Sequence, residues 1–148
     1  MYPEKIYYEP AALEYALGQI LAAKYAHVPW IEIENHNKID ELRANPNRAF
    51  PLLKKYLIIG IRKTHKYVPN HKVSDYLVPY TSSGCSAMCL YCYLVCHYNK
   101  CSYLRLFVNR EEMLNKLLKT AAASRELTFE IGSNSDLVLE NTITGNLA

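Results

Sequence analysis

The hydrophobic positions in the first half of the chain predict one helix followed by three strands. From residue 10 to 25 apolar side chains recur three and four positions apart, on one face of a helix: Leu13, Leu17, Ile20 and Leu21. Three later segments have strand patterns: Trp30–Glu34, Tyr56–Arg62 and Tyr76–Tyr80. The second of these is almost continuously apolar, which predicts burial on both faces within a parallel sheet.

The second half of the chain predicts a further strand, a helix and another strand. Tyr103–Asn109 is apolar enough for a short strand, and its last residue is a candidate N-cap for a helix that ends near Ala123. The apolar face of this helix would consist of Met113, Leu114, Leu117 and Leu118. Leu127–Ile131 is the next predicted strand, and residues 132–136 form the polar loop at its end.

These elements predict an α/β protein in two parts. Residues 1–75 would form a small N-terminal α/β unit. Residues 76–148 would form the opening β-α-β of a parallel (β/α) partial barrel, truncated before it closes. Such barrels do their chemistry at the C-terminal edge of the sheet. The loops after Tyr76–Tyr80 and Leu127–Ile131 are therefore where functional residues are expected.

Composition indicates a globular chain and a reducing compartment. Of 148 residues, 50% are hydrophobic and 21% are charged, which excludes a disordered chain. There is no apolar run of about 18 residues, and the N-terminus has no apolar signal segment. The five cysteines are odd in number and clustered, which argues against a disulfide framework and for the cytoplasm.

Charge is distributed unevenly, because residues 44–74 contain no acidic residue. Seven basic residues recur there among histidines and tyrosines: Arg48, Lys54, Lys55, Arg62, Lys63, Lys66 and Lys72. Interleaved cations and aromatic rings suit contact with a nucleic-acid backbone. An ordinary solvated basic face fits the same pattern equally well. Arg62 and Lys63 follow the buried strand directly, at the sheet edge where α/β proteins bind ligands.

The most informative stretch is TSSGCSAMCLYCY, from Thr81 to Tyr93. Cys85, Cys89 and Cys92 have C-x-x-x-C-x-x-C spacing, and all five cysteines fall within seventeen residues. Thiolates so placed can hold an iron–sulfur cluster or a metal ion. One alternative is a four-cysteine zinc module that adds Cys96, and another is that the cysteines are small buried side chains.

The spacing C-x-x-x-C-x-aromatic-C resembles the cluster signature of the radical S-adenosylmethionine enzymes. The longer run GCSAMCLYCYL, together with YLIIGIRKTHKY, YLRLFVN and FEIGSNSD, resembles one family of that superfamily, the spore photoproduct lyases. The similarity extends over nearly all 148 residues. A radical enzyme of the same superfamily with a different substrate is the nearest alternative.

The resemblance implies a set of site residues. Cys85, Cys89 and Cys92 would hold a 4Fe–4S cluster whose open iron binds S-adenosylmethionine, the source of a 5′-deoxyadenosyl radical. Tyr91 would pack near the adenine, and Ser135 and Asp136 would lie near the bound cofactor. Tyr91 and Tyr93 would also belong to the radical-relay path of the family.

The resemblance also implies the partners. The substrate would be DNA that contains the spore photoproduct, a thymine dimer, and the electron donor would be a flavodoxin or ferredoxin. Candidate DNA contacts are Arg62, Lys63, Lys66, Lys100 and Arg105.

The sequence departs from the family pattern at two points. Ser133 occupies the position where many members have a cysteine that returns a hydrogen atom to the product. Cys96 and Cys101 are physically possible substitutes, because a thiol S–H bond is much weaker than a serine O–H bond. Family members are also more than twice as long, so an N-terminal fragment is expected.

Overall fold

The computed structural model describes residues 1–44, 47–78, 81–92, 94, 103–123, 126–132 and 135–145. The strands are β1 Lys5–Tyr8, β2 Trp30–Glu32, β3 Tyr56–Gly60, β4 Val68–Pro69, β5 Tyr76–Val78, β6 Ser82–Ser83, β7 Leu104–Phe107 and β8 Phe129–Ile131. The helices are α1 Ala16–Lys24, α2 Asp40–Arg43, α3 Phe50–Leu53, α4 Arg110–Ala122 and α5 Leu137–Thr144, with 3₁₀ helices at Pro10–Glu14 and Asn47–Ala49. Within these described ranges, none of the helices has the length and apolarity needed to cross a membrane.

A five-stranded sheet, in the order β2-β1-β3-β7-β6, forms the centre of the fold. The first four strands are parallel and β6 is antiparallel. Successive side chains of a strand lie on opposite faces. Leu57 and Ile59 of β3 therefore join the core beneath α1, while Ile58 packs with Leu42 and Leu53 on the other face. The predicted strand buried on both faces is confirmed.

Strand β1 was not predicted by the hydrophobic pattern. It pairs in parallel with both β2 and β3, and its Ile6 and Tyr7 are buried in different core clusters. A run of four residues is too short for its alternation to be recognised beside the stronger helical pattern that follows. Because β1 ends at Tyr8, it brings Glu9 to the C-terminal edge of the sheet.

The first predicted helix is divided at Tyr15, so the prediction of one continuous helix is wrong. Tyr15 is extended, with ψ of 143°, between the first 3₁₀ helix and α1. The division lets Gly18 lie against the Ala12 carbonyl, where an added Cβ would come within 1.9 Å of the oxygen. Leu17 is buried as predicted, but Ile20 is 55% exposed.

A second sheet contains three strands in the order β4-β5-β8. β5 and β8 are the two predicted strands that flank the cysteines and the following helix, and they pair in parallel as expected for a β-α-β unit. β7 instead adds to the five-stranded sheet beside β3. The α/β class with a parallel sheet is confirmed, and the described residues contain no closed barrel. The division near residue 75 stays a prediction.

Two helices in the second half depart from the pattern. α4 lies where predicted, but of its expected apolar face Met113 is buried whereas Leu114 and Leu118 are exposed. α5 forms where the sequence pattern predicted no element, and its Ile143 enters the core beneath α1. α5 thereby connects the C-terminal segment to the five-stranded sheet.

Candidate functional site

The cysteine loop, residues 84–92, leaves the five-stranded sheet directly after β6. Gly84 begins it with φ of +87°, and no helix or strand follows before Cys92. Cys85 and Cys92 are partly exposed, Cys89 is exposed, and all three thiols are free. In the part of the chain that the structure describes, no three His, Cys, Asp or Glu side chains are grouped as metal ligands. The structure thus places the cysteines on one loop without grouping them as a ligand set.

Lys54 lies beneath the cysteine loop. It caps the C-terminal end of α3 and is only 3% exposed, which is rare for a lysine. Its Nζ donates to the carbonyl oxygen of Cys85 at 2.5 Å and lies 4.0 Å from Cys92 Sγ. Cys85 Sγ also accepts from the Ala87 N–H at 3.3 Å. A buried cation therefore holds the start of the loop and lies close to a thiol at its end.

The loop after β8 contains two predicted cofactor residues. Asp136 is the N-cap of α5, and its Oδ1 accepts from the Leu139 N–H at 3.0 Å. This bond satisfies one of the free N–H groups of the first turn. Ser135 Oγ is buried and has no hydrogen-bond partner among the described residues. Ser135 therefore retains an uncommitted polar atom, whereas Asp136 is engaged in starting a helix.

Glu140 connects α5 to the segment that leads into the cysteine loop. Glu140 is 2% exposed, and its carboxylate accepts from Thr81 Oγ1 at 2.5 Å and from Ser82 Oγ. A carboxylate so deeply buried requires such donors, since burial without them is strongly unfavourable. This contact could not be expected from the sequence pattern, because that pattern does not predict α5.

Three predicted DNA contacts line one cavity of about 250 Å³. They are Arg62 and Lys63, which follow β3, and Arg105 of β7. The cavity lies at the C-terminal ends of the parallel strands, where the following loops meet. Lys66 is exposed and does not line this cavity.

A chain of hydrogen bonds runs from the sheet edge to Arg105. Glu9 Oε1 accepts from the backbone N–H of His36 at 2.9 Å and from His36 Nδ1 at 2.8 Å. Asn37 Nδ2 lies 3.0 Å from His36 Nε2, and Asn37 Oδ1 accepts from an Arg105 N–H at 3.0 Å. A second Arg105 N–H donates to Ser83 Oγ at 3.2 Å. The guanidinium is therefore fixed from two sides.

Charge in this chain of bonds resides on Glu9 and Arg105. Burial acts to raise the pKa of Glu9, but N–H donors from His36 and Ile61 outweigh it and lower the pKa. Burial, together with the nearby charges of Arg105 and Arg62, lowers the pKa of His36 against the opposing effect of Glu9. At neutral pH His36 is thus a neutral imidazole. Its Nδ1–H donates to the carboxylate, and its Nε2 accepts from Asn37.

Arg62 is held in position by the ring of Phe107 and by the side-chain amide of Asn109. Its guanidinium lies 4.1 Å from the centroid of the Phe107 ring, a cation–π arrangement. Asn109 brackets the Arg62 backbone, accepting from its N–H at 3.0 Å and donating to its carbonyl oxygen at 2.9 Å. Asn109 is the N-cap residue of α4, as predicted, yet its side chain makes no capping bond.

The chain matches the family model described as spore photoproduct lyase over residues 1–148. The chain belongs to the spore photoproduct lyase family. A spore photoproduct lyase from Bacillus subtilis (strain 168) is 35% identical over 153 residues, and one from Geobacillus sp. (strain Y412MC61) is 30% identical over 151. Each alignment covers 98% of this chain and 44% of the relative. The chain therefore spans less than half the length of these relatives.

Solved spore photoproduct lyases have the same fold over this part. One, complexed with dinucleoside spore photoproduct, superposes with a TM-score of 0.85 at 29% identity. Another, a mutant with bound AdoMet and dinucleoside spore photoproduct, also has a TM-score of 0.85 at 29% identity. Both matches cover 98% of this chain and 44% of the solved chain. The family resemblance inferred from the motifs is confirmed.

The family's implied site residues are not all within the described structure. Tyr91 is 93% exposed on the cysteine loop, so no side chain in the described part of the chain buries it. Ser135 and Asp136 lie between β8 and α5. The following predicted residues lie outside the described residues: Tyr93, Cys96, Lys100, Cys101 and Ser133.

The side chains at the site suit the cofactors that the family implies. Thiolates are the usual ligands of iron–sulfur clusters, and three free thiols lie on one irregular segment. The Lys54 ammonium beside Cys92 Sγ offsets part of the negative charge that thiolates carry. The buried Ser135 Oγ has no hydrogen-bond partner in the described part of the chain, so it could accept one from a bound molecule. Lys54 was missed as a functional residue because its position in sequence gives no hint of its distant partners.

Proposed function

We propose that this chain is the cluster-bearing part of a radical S-adenosylmethionine lyase for DNA repair. Its substrate would be the spore photoproduct, 5-thyminyl-5,6-dihydrothymine, which the complete enzyme would convert to two thymines. The observation that carries the proposal is the family match over residues 1–148 together with three free thiols on one loop at C-x-x-x-C-x-x-C spacing. The solved relatives that bind dinucleoside spore photoproduct support the choice of substrate.

Cys85, Cys89 and Cys92 would hold a 4Fe–4S cluster. When bound, the cluster and S-adenosylmethionine supply the electron and the radical chemistry that begin lesion reversal. Lys54 would position the loop through its bond to the Cys85 carbonyl oxygen and through its contact with Cys92 Sγ, 4.0 Å away.

Tyr91, Ser135 and Asp136 would receive S-adenosylmethionine. The exposed ring of Tyr91 would pack against the adenine, and Ser135 Oγ would hydrogen-bond the cofactor. Asp136 would act by fixing the start of α5, since its carboxylate already accepts from Leu139. In this role Asp136 is a positioning residue.

Hydrogen return would use residues other than Ser133. A thiol S–H bond is weak enough to give a hydrogen atom to a carbon-centred product radical, which leaves a sulfur radical, whereas a serine O–H bond is too strong. Cys96 would be the donor, and Tyr91 and Tyr93 would relay the radical.

The cationic residues would contact the DNA backbone: Arg62, Lys63, Lys66, Lys100 and Arg105. The location of three of them in one cavity supports this assignment. A flavodoxin or ferredoxin would supply the electron. The free, clustered thiols fit a reducing cytoplasm, that of a spore-forming bacterium by analogy with the relatives.

Serine variants of the cysteines test the proposal. After anaerobic treatment with iron and sulfide, the 148-residue chain is expected to bind about four iron and four sulfide ions. Cys85→Ser, Cys89→Ser and Cys92→Ser should each lose most of both, because a cluster needs all three thiolates. Iron and sulfide per chain are measured by colorimetric analysis.

The matched control is the double variant Cys96→Ser, Cys101→Ser, which removes neighbouring thiols and keeps the spacing. It should load as fully as the original chain. Equal loading of control and ligand variants, or one zinc ion per chain in place of iron, would overturn the cluster assignment.

A further inference from the structure

The cavity at the C-terminal edge of the five-stranded sheet is cationic. Its lining contains three permanently or normally positive side chains, Arg62, Lys63 and Arg105, and no carboxylate. Asn35, Asn37 and Ser83 add neutral polar groups to the wall. Its volume of about 250 Å³ is ample for a phosphoryl group with part of an attached sugar. The charge of the lining selects an anion, and the volume admits one of this size.

The two guanidinium groups are held in place before any ligand arrives. Arg105 is fixed by Asn37 and Ser83, and Arg62 is stacked on Phe107. Two of the five N–H donors of Arg105 are used in these bonds, so donors remain for a ligand. A preorganised guanidinium loses less side-chain entropy on binding than a freely moving one. The arrangement is therefore a formed site and more than a basic surface.

The negative charge beneath the site belongs to Glu9 and lies outside the cavity. Glu9 is 7% exposed, and three N–H groups, from the His36 backbone, the His36 ring and Ile61, surround its carboxylate. Gly60 makes room for this packing, because a Cβ there would lie 2.9 Å from the His36 ring. The carboxylate therefore orients Arg105 through His36 and Asn37 without lining the cavity.

We infer that this cavity binds one phosphoryl group, and that in the DNA-repair function it holds a backbone phosphate of the substrate strand. The inference rests on the proposed function, since DNA is taken as the source of the phosphate. Arginine is the side chain best suited to phosphate, which accepts two parallel N–H bonds from one guanidinium. Ser83, which shares the wall with Arg105, precedes Cys85 by two residues. A phosphate held here would fix the strand against the segment that leads into the cysteine loop.

Binding of an undamaged 12-base-pair duplex to the 148-residue chain tests this inference. Fluorescence anisotropy gives the dissociation constant over a series of salt concentrations. Arg105→Gln is expected to weaken binding about tenfold and to lower the slope of log K against log salt by about one. Arg105→Lys keeps the positive charge but lacks the two parallel N–H donors of the guanidinium. It should weaken binding less than Arg105→Gln and preserve the slope of log K against log salt.

Lys119→Gln is the matched control, because it removes one exposed charge from α4, outside the cavity. It should change affinity by less than about twofold. Asn37→Leu leaves the net charge unchanged and removes the acceptor that orients Arg105. It should weaken binding about threefold with little change in the salt slope. Circular dichroism confirms that each variant remains folded.

Inorganic phosphate distinguishes the two sources of the ligand. If a free phosphate is sufficient, millimolar phosphate raises the melting temperature of the original chain but not of Arg105→Gln, and it displaces DNA. If a DNA phosphate is required, Arg105→Gln weakens DNA binding while phosphate has no effect. Either result supports a phosphoryl site.

Equal DNA affinity and equal salt slope in Arg105→Gln and Lys119→Gln would overturn the inference. Iron loading is measured on the same samples, so failure of the cavity is distinguishable from failure of the proposed function. A chain that loads iron but shows no effect at Arg105 would contradict the phosphoryl site alone.

Discussion

Gly84→Ala is expected to destabilise the protein by roughly 3 kcal/mol. Gly84 has φ of +87°, which costs any other residue free energy. An added Cβ would also lie 2.1 Å from the carbonyl oxygen of Tyr103, an atom of the backbone just before β7. The clash is therefore relieved only by moving the cysteine loop away from the sheet. Urea denaturation followed by circular dichroism measures the loss.

Gly145→Ala is a matched control for this variant. Gly145 also has positive φ, +65°, but no atom of the described residues, apart from its own chain neighbours, lies within 4 Å of an added Cβ. It should cost only about 1 kcal/mol, the conformational part of the effect. Equal losses at Gly84 and Gly145 would mean that the close approach to Tyr103 does not constrain the start of the loop.

Glu140→Ala is expected to cost roughly 3 kcal/mol. The substitution removes the carboxylate that accepts from Thr81 and Ser82, and both hydroxyls are buried beside β6. It also leaves a cavity between α5 and the sheet. Thermal and urea unfolding measure the change in the free energy of unfolding.

Two further variants separate the causes at Glu140. Glu140→Gln keeps one acceptor oxygen and similar volume, so a smaller loss of about 1–2 kcal/mol is expected. Val138→Ala, at a 73% exposed position of the same helix, should have little effect. A loss at Glu140→Ala no greater than at Val138→Ala would contradict the assigned role of the buried carboxylate.

The strongly patterned elements of the fold could be predicted from the sequence. β3 is a continuous apolar run, and such a run has few alternatives to a strand buried on both faces. α4 was located by its acidic first turn and by Asn109, though exposure of Leu114 and Leu118 shows that periodicity does not establish which face is covered. The hydrophobic pattern does not predict β1 or α5, because each is stabilised by contacts with residues that are distant in the sequence.

The candidate site divides in the same way. Cys85, Cys89 and Cys92 could be found from spacing, because their chemistry requires neighbours in sequence. Lys54 and the Glu9–His36 pair could not, because each acts across a distance of 27 to 38 residues in the chain. These contacts depend on parallel strand pairing, which sequence spacing alone does not reveal.

One structural segment connects the two functional regions. β6 contributes Ser83 to the cavity and leads through Gly84 into the cysteine loop. On the other side, Ser82 donates to Glu140 of α5, whose N-cap is Asp136. The proposed cluster, cofactor and phosphoryl sites therefore share one short strand. Variants that disturb β6 should affect all three properties together.

The most direct test of the account is electron paramagnetic resonance of the reconstituted, reduced chain with and without S-adenosylmethionine. We predict a 4Fe–4S signal whose g values shift when the cofactor is added, since three cysteines leave one iron open to it. A cluster signal that does not change when S-adenosylmethionine is added would support the cysteine assignment but contradict a cofactor site in this chain. Absence of any cluster signal, with stoichiometric zinc in its place, would contradict the central claim.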